Sequence, residues 1–150
     1  MPGAFRASGG YMCRLSYYRM ADVPEETKDR LRELTFGREN ESPLYRWTFH
    51  DRAWCVVARL HSQSNRSHST PSGRIAGWAA LTLQDDYLPV AGVYVDQRYR
   101  RQGLAKLAAK CLMDTLHRRG LVGPVQAVSE LWAEWPEVIE AAGFEFVEWE

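Results

Sequence analysis

A chain of 150 residues, 45% apolar and 25% charged, suits one domain that buries about 68–70% of its unfolded surface. Such a composition excludes a disordered chain, and no apolar run approaches the ~20 residues of a membrane-spanning helix. Nineteen basic residues balance nineteen acidic ones, so bulk charge does not suggest a nucleic-acid partner.

The opening MPGAFRASGGYM has one arginine and lacks the apolar stretch of about 7–15 residues that marks a secretory leader. Residues 1–11 are expected to be a flexible lead-in. CRLSYYRM (13–20) predicts a first strand. ADVPEETKDRLREL (21–34) carries helix start signals: Asp22 can cap, Pro24 sits in the first turn, and Glu25 and Glu26 suit the positive end of the dipole. Ser42-Pro43 is a second helix start, followed by Leu44, Trp47 and Phe49. AWCVVARL (53–60) predicts a strand rich in β-branched and apolar residues. HSQSNRSHSTPSG (61–73) reads as a long hairpin loop, and RIAGWAALTLQ (74–84) as the next strand, with a bulge at Gly77. DDY then makes a tight connection to the strand LPVAGVYV (88–95).

LAKLAAKCLMDTLHRRG (104–120) is the clearest helix. Its apolar residues recur at i, i+3, i+4 and i+7, His117, Arg118 and Arg119 sit at its negative end, and Gly120 stops it. GPVQAVS (123–129) predicts a strand, EWPEVIEAAG (134–143) a short helix and FEFVEW (144–149) a closing strand. The order implies an α/β fold of one domain over 1–150: a mixed, mostly antiparallel sheet of six to seven strands flanked by helices.

Cys13, Cys55 and Cys111 form no C-x-x-C pair, which suits reduced thiols in a cytoplasmic protein. The four histidines show no ligand spacing, so no metal is expected.

Charge is unevenly spread. Residues 98–119 hold seven basic side chains against Asp114 alone, and residues 129–150 hold seven glutamates and no Lys or Arg. The basic stretch begins at a strand-to-helix corner, VYVDQRYRRQGLAK (93–106). A helix start presents unpaired amides and about half a positive charge, which makes it an anion site after a strand. Gly103 would let a ligand approach the backbone. A phosphate site and an ordinary helix start with arginines in water are both compatible with these residues. Walker, dinucleotide-binding and nucleophile-elbow glycine patterns are absent.

The corner resembles motif A of the GNAT superfamily of N-acetyltransferases, R/Q-x-x-G-x-G/A, here Arg100-Arg101-Gln102-Gly103-Leu104-Ala105. The preceding V-x-V strand, Tyr99 and the ending AAGFEFVEWE are similar to the family too. The resemblance implies that acetyl-CoA lies in a splay between two parallel strands. Its pyrophosphate would meet Arg100 and the backbone from Arg101 through Lys106. Val93 and Val95 would pair with the pantetheine as strands pair, and Tyr94 would turn to the other face. The implied reaction is attack of a neutral amine on the thioester, with the Val95 amide as oxyanion donor.

The tyrosine that the family often uses as thiolate acid is replaced by Ile139, and Trp132 falls near the place of a frequent asparagine. Glu130 is the candidate base. Trp47, Asp86, Trp132, Glu134 and Trp135 are candidates for the acceptor pocket, whose acidic rim suits a cationic amine, either a small molecule or a peptide. An exposed final strand is able to pair across a two-fold axis, which makes a homodimer an option. The alternative to catalysis is an acyl-CoA-binding or interaction module that has lost turnover.

Overall fold

The structure is a computed structural model that describes residues 3–6, 11–36, 51–62, 74–83 and 87–149. The helix start at Ser42-Pro43, Trp47, most of the 61–73 loop, Asp85 and Asp86 lie outside the described residues. Seven strands form one sheet in chain order: β1 (Gly3–Arg6), β2 (Tyr11–Arg19), β3 (Ala53–Ser62), β4 (Arg74–Thr82), β5 (Val90–Val95), β6 (Val125–Ala127) and β7 (Phe146–Glu148). The first five pair antiparallel, while β5–β6 and β6–β7 pair parallel. A parallel pair needs a long crossover. Helix α2 (Leu104–Arg118) supplies one and α3 (Trp135–Ala141) the other. Helix α1 (Glu25–Phe36) lies between β2 and β3 in the chain.

Two apolar layers follow from strand alternation. Leu15, Val56, Ala79 and Val93 pack with Leu104, Leu112 and Ile139 on the α2–α3 face. Cys55, Val57, Trp78 and Ala80 pack with Leu31 of α1 on the other. Trp78 is nearly fully buried, so its indole N–H needs a partner. It donates to Thr35 Oγ at 2.6 Å, and that hydroxyl donates to the Leu31 carbonyl at 2.7 Å.

The bulge predicted at Gly77 is present, because the β3–β4 register slips between Ala58 opposite Gly77 and Arg59 opposite Ile75. A Cβ on Gly77 would stand 2.5 Å from the Tyr94 carbonyl oxygen. Glycine is therefore what lets β4 lie against β5 at that level.

The boundaries differ modestly from expectation. The first predicted helix begins as a 3-10 turn, Met20–Asp22, before α1. The last two strands are only three residues each. A strand, Gly3–Arg6, stands inside the predicted flexible lead-in and pairs with Met12–Leu15. Four residues with glycine at one end carry too weak an alternation to announce a strand.

Candidate functional site

The β5–β6 ladder has two residue pairs, Val90 with Gln126 and Ala91 with Ala127, and stops there. The rest of β5 runs on along β4 to Val95. Asp96 N–H donates to the Ala76 carbonyl at 2.7 Å, which makes Val95 and Gly77 a non-hydrogen-bonded pair of the antiparallel ladder. The backbone groups of Val95, and by alternation those of Val93, therefore aim away from β4 and into the space beyond the short ladder. Their side chains are buried on the α2 face. Tyr94 turns to the opposite face and stacks on Trp78, with ring centroids 6.4 Å apart.

After β5 the chain makes a tight turn, Gln97–Tyr99, capped by Asp96. The Asp96 carboxylate accepts from the Arg98 amide at 3.0 Å and from the Arg98 guanidinium at 3.0 Å. Burial acts to raise the Asp96 pKa, but the bonds from Arg98 outweigh it and hold the carboxyl below the usual range. Arg100 Nε donates to the Val95 carbonyl at 2.9 Å. Two residues then take left-handed backbone, Arg101 with φ 66° and Gly103 with φ 78°. Only the second is a glycine, so the conformation at Arg101 is costly and held by its surroundings. Helix α2 starts directly after Gly103. Among the described residues nothing beyond its chain neighbours and its own helix backbone lies within 4 Å of where a Gly103 Cβ would be, so the space there is open.

These pieces border one cleft of about 440 Å³, lined by Val93, Tyr94, Val95, Tyr99, Arg100, Arg101, Gly103, Leu104, Ala105, Lys106, Leu131, Trp132 and Glu134. Nine of the ten residues expected at the cofactor are there, and Gln102 is the one that is not. A strand edge leading to a helix start with two left-handed residues fits a long ligand that ends in an anion. Lys106, in the first turn of α2, reaches across to α3, with its ammonium 3.8 Å from Glu134 and 3.6 Å from Glu137.

The acceptor-side candidates divide. Trp132 and Glu134 line the cleft, but Trp135 does not. Trp135 is 2% exposed and packs edge-to-face on Trp132, with ring centroids 5.0 Å apart, as a core residue. Its place in the first turn of α3 turns it inward beside Val138 and Ile139. Glu130 is exposed on the turn after β6 and does not line the cleft. That turn is pinned to β7, because the Ser129 amide and hydroxyl donate to the Glu148 carboxylate at 2.9 and 2.6 Å. Three glutamates of the acidic C-terminal stretch, Glu134, Glu137 and Glu148, thus have partners within the molecule.

Ile139 is fully buried in the α2–α3 layer. No acid could work from that side-chain position without entering the core. Tyr99 and Leu131, absent from the predicted site, also line the cleft. Tyr99 stood beside the glycine motif in the sequence, whereas an isolated leucine after a strand carried no signal. A second groove, about 750 Å³, flanks the Gln97–Tyr99 turn from the α1 face and is lined by Arg30, Glu33, Arg74, Asp96 and Arg98 among others. Arg74 joins the two spaces by donating to the Tyr99 hydroxyl at 3.4 Å.

No curated protein matches the chain. Solved structures share the fold at low identity. AAC(6')-Iy, in complex with the bisubstrate analog CoA-S-monomethyl-acetylneamine, has 18% identity over 87% of this chain and 90% of that one, with a TM-score of 0.50. A Klebsiella pneumoniae chain named as an acyl-CoA N-acyltransferase has 17% identity over 70% of this chain, with a TM-score of 0.40. A cAMP-binding acyltransferase from Mycobacterium smegmatis has 14% identity over 80% of this chain, with a TM-score of 0.45. The chain spans 63% of the Klebsiella chain and 36% of the mycobacterial one. The acetyltransferase (GNAT) family model matches residues 22–133, from the start of α1 through the cleft wall at Trp132. Since that match spans most of the chain and takes in β3 through β6, the glycine corner and most of the cleft, the chain belongs to the GNAT family of acetyltransferases.

Proposed function

We propose that the protein is an N-acetyltransferase that moves an acetyl group from acetyl-CoA to a primary amine within a ternary complex. The observation that carries this reading is the cleft itself: a parallel ladder that stops at Ala91, leading to the left-handed Arg101 and Gly103 at the start of α2. The solved relative bound to a CoA-containing bisubstrate analog supports it. In this reading Val93 and Val95 pair with the pantetheine, and the amides from Arg101 to Lys106 hold the pyrophosphate. CoA supplies the activated acyl group as a thioester.

The protein's own contribution is mainly positioning, an effect worth ~7–11 kcal/mol in well-oriented reactions. The Val95 amide aims into the cleft and is the proposed donor to the oxyanion. We assign proton removal from the amine to Glu130, whose exposure suits transfer through water. Replacing Glu130 with Gln is expected to lower the rate at subsaturating amine and shift its pH profile, and an unaltered profile would remove Glu130 as base. The acceptor we propose is a small cationic amine or a peptide amine. Among the described residues no helix is long and apolar enough to cross a membrane, and we place the reaction in the cytoplasm, with no metal required.

Ile139 favours a second reading, because the residue at the family's frequent acid position is sealed in the core. The protein would then bind acyl-CoA without turnover. Calorimetric titration with acetyl-CoA, followed by thiol release with a panel of amines, separates the two. Binding with amine-dependent thiol release is the expected result. Binding without release from any amine supports the second reading, and no binding defeats both.

A further inference from the structure

The first arginine of the glycine motif has a geometry that its charge does not announce. Arg100 directs Nε back to the Val95 carbonyl at 2.9 Å. Its guanidinium carbon lies 5.4 Å from the centre of the Tyr94 ring, within cation–π range. Both partners belong to the strand, not to the helix start. The Val95 carbonyl is one of the groups that β5 turns toward the cleft once its β6 ladder has stopped. That carbonyl faces the ligand side of β5, and Arg100 gives it a partner within the protein. Arg101 differs. Its side chain is exposed and makes no ion pair or hydrogen bond among the described residues.

We propose that Arg100 is a positioning residue rather than a phosphate ligand. It occupies one lone pair of the Val95 carbonyl and fixes that peptide plane at the end of β5. The positive side chain offered to an anion then belongs to Arg101, while Lys106 is paired with Glu134 and Glu137. This inference rests on the acyl-CoA reading of the cleft. Arginine is specific for such a task, since a fixed planar fork delivers Nε–H to the carbonyl while the plane lies over a ring. Lysine keeps the charge but lacks the planar fork that makes both contacts at once.

That difference gives the test. Acetyl-CoA affinity would be measured by calorimetry over a series of salt concentrations for the wild type and for Arg100→Lys, Arg100→Gln, Arg101→Lys and Arg101→Gln. A cation that meets phosphate contributes to the salt dependence of binding. Both Arg100 variants are expected to bind about tenfold more weakly at every salt concentration, with the wild-type slope. Arg101→Gln is expected to flatten the slope and Arg101→Lys to restore it. A flattened slope in Arg100→Gln that Arg100→Lys restores would overturn the assignment. The free protein gives an independent readout by nitrogen-15 NMR. The Arg100 Nε–H is expected to exchange with water more slowly than that of Arg101, and equal rates would also overturn the assignment. If the wild type does not bind acetyl-CoA, the proposed function fails, while the exchange rates still decide where Arg100 points.

Discussion

At Gly103 two demands meet in one residue: a φ of 78° and open space where a side chain would begin. Gly103→Ala is expected to cost about 1 kcal/mol of stability through backbone strain, which a denaturant titration would measure. Gly103→Glu adds bulk and negative charge in the cleft and is expected to abolish acetyl-CoA binding; unchanged affinity would remove the phosphate assignment. Ile139 poses the opposite case. Restoring the family's frequent residue by Ile139→Tyr would force a larger, polar side chain into a full core. The expected result is a loss of about 1–3 kcal/mol without faster turnover, and a faster variant would show that the position communicates with the cleft. The glycine was legible from sequence because its neighbours form a motif. The burial of Ile139 and Trp135 was not, because which face of a seven-residue helix turns inward depends on α2 and the sheet.

Among the elements, α1 is attached to the sheet in part through a polar contact inside an apolar layer, Trp78 to Thr35. Thr35→Val keeps the shape of the side chain and takes the acceptor from Trp78 Nε1. It is expected to cost about 1–3 kcal/mol, measured by urea unfolding, and a smaller loss would mean that the hydroxyl adds little to docking. The described strands and helices were readable in outline, since periods of 2 and 3.6 separate them. What α2 does beyond spanning β5 to β6 was not readable. Its Lys106 tethers the first turn of α3, a pairing between residues far apart in the chain. The acidic C-terminal stretch read as a rim for a cationic acceptor. In the fold part of it answers Lys106, and Glu148 holds the turn before the cleft wall.

For the whole molecule, the thiols report on integrity. Burial pushes Cys13 up to about 11 and Cys55 up to about 12. Burial also raises the half-buried Cys111. At pH 8 alkylation is expected to reach Cys111 first, and Cys13 and Cys55 only as fast as the sheet opens. Rapid labelling of all three in native buffer would contradict the packing on both faces. Sheet class and the parallel pair were foreseeable from element order, but the length of the β5–β6 ladder was not, because no local pattern tells a strand where its neighbour will leave it. That length has a mechanical consequence. Within the sheet the first five strands form one plate and the last two another, riveted by two rungs at Val90 and Ala91. Prying the plates apart would break only a few backbone bonds, so what keeps them together is the apolar layer they share, in which Val125, Ala127 and Ile139 of the smaller plate pack with Leu15, Val56 and Leu112.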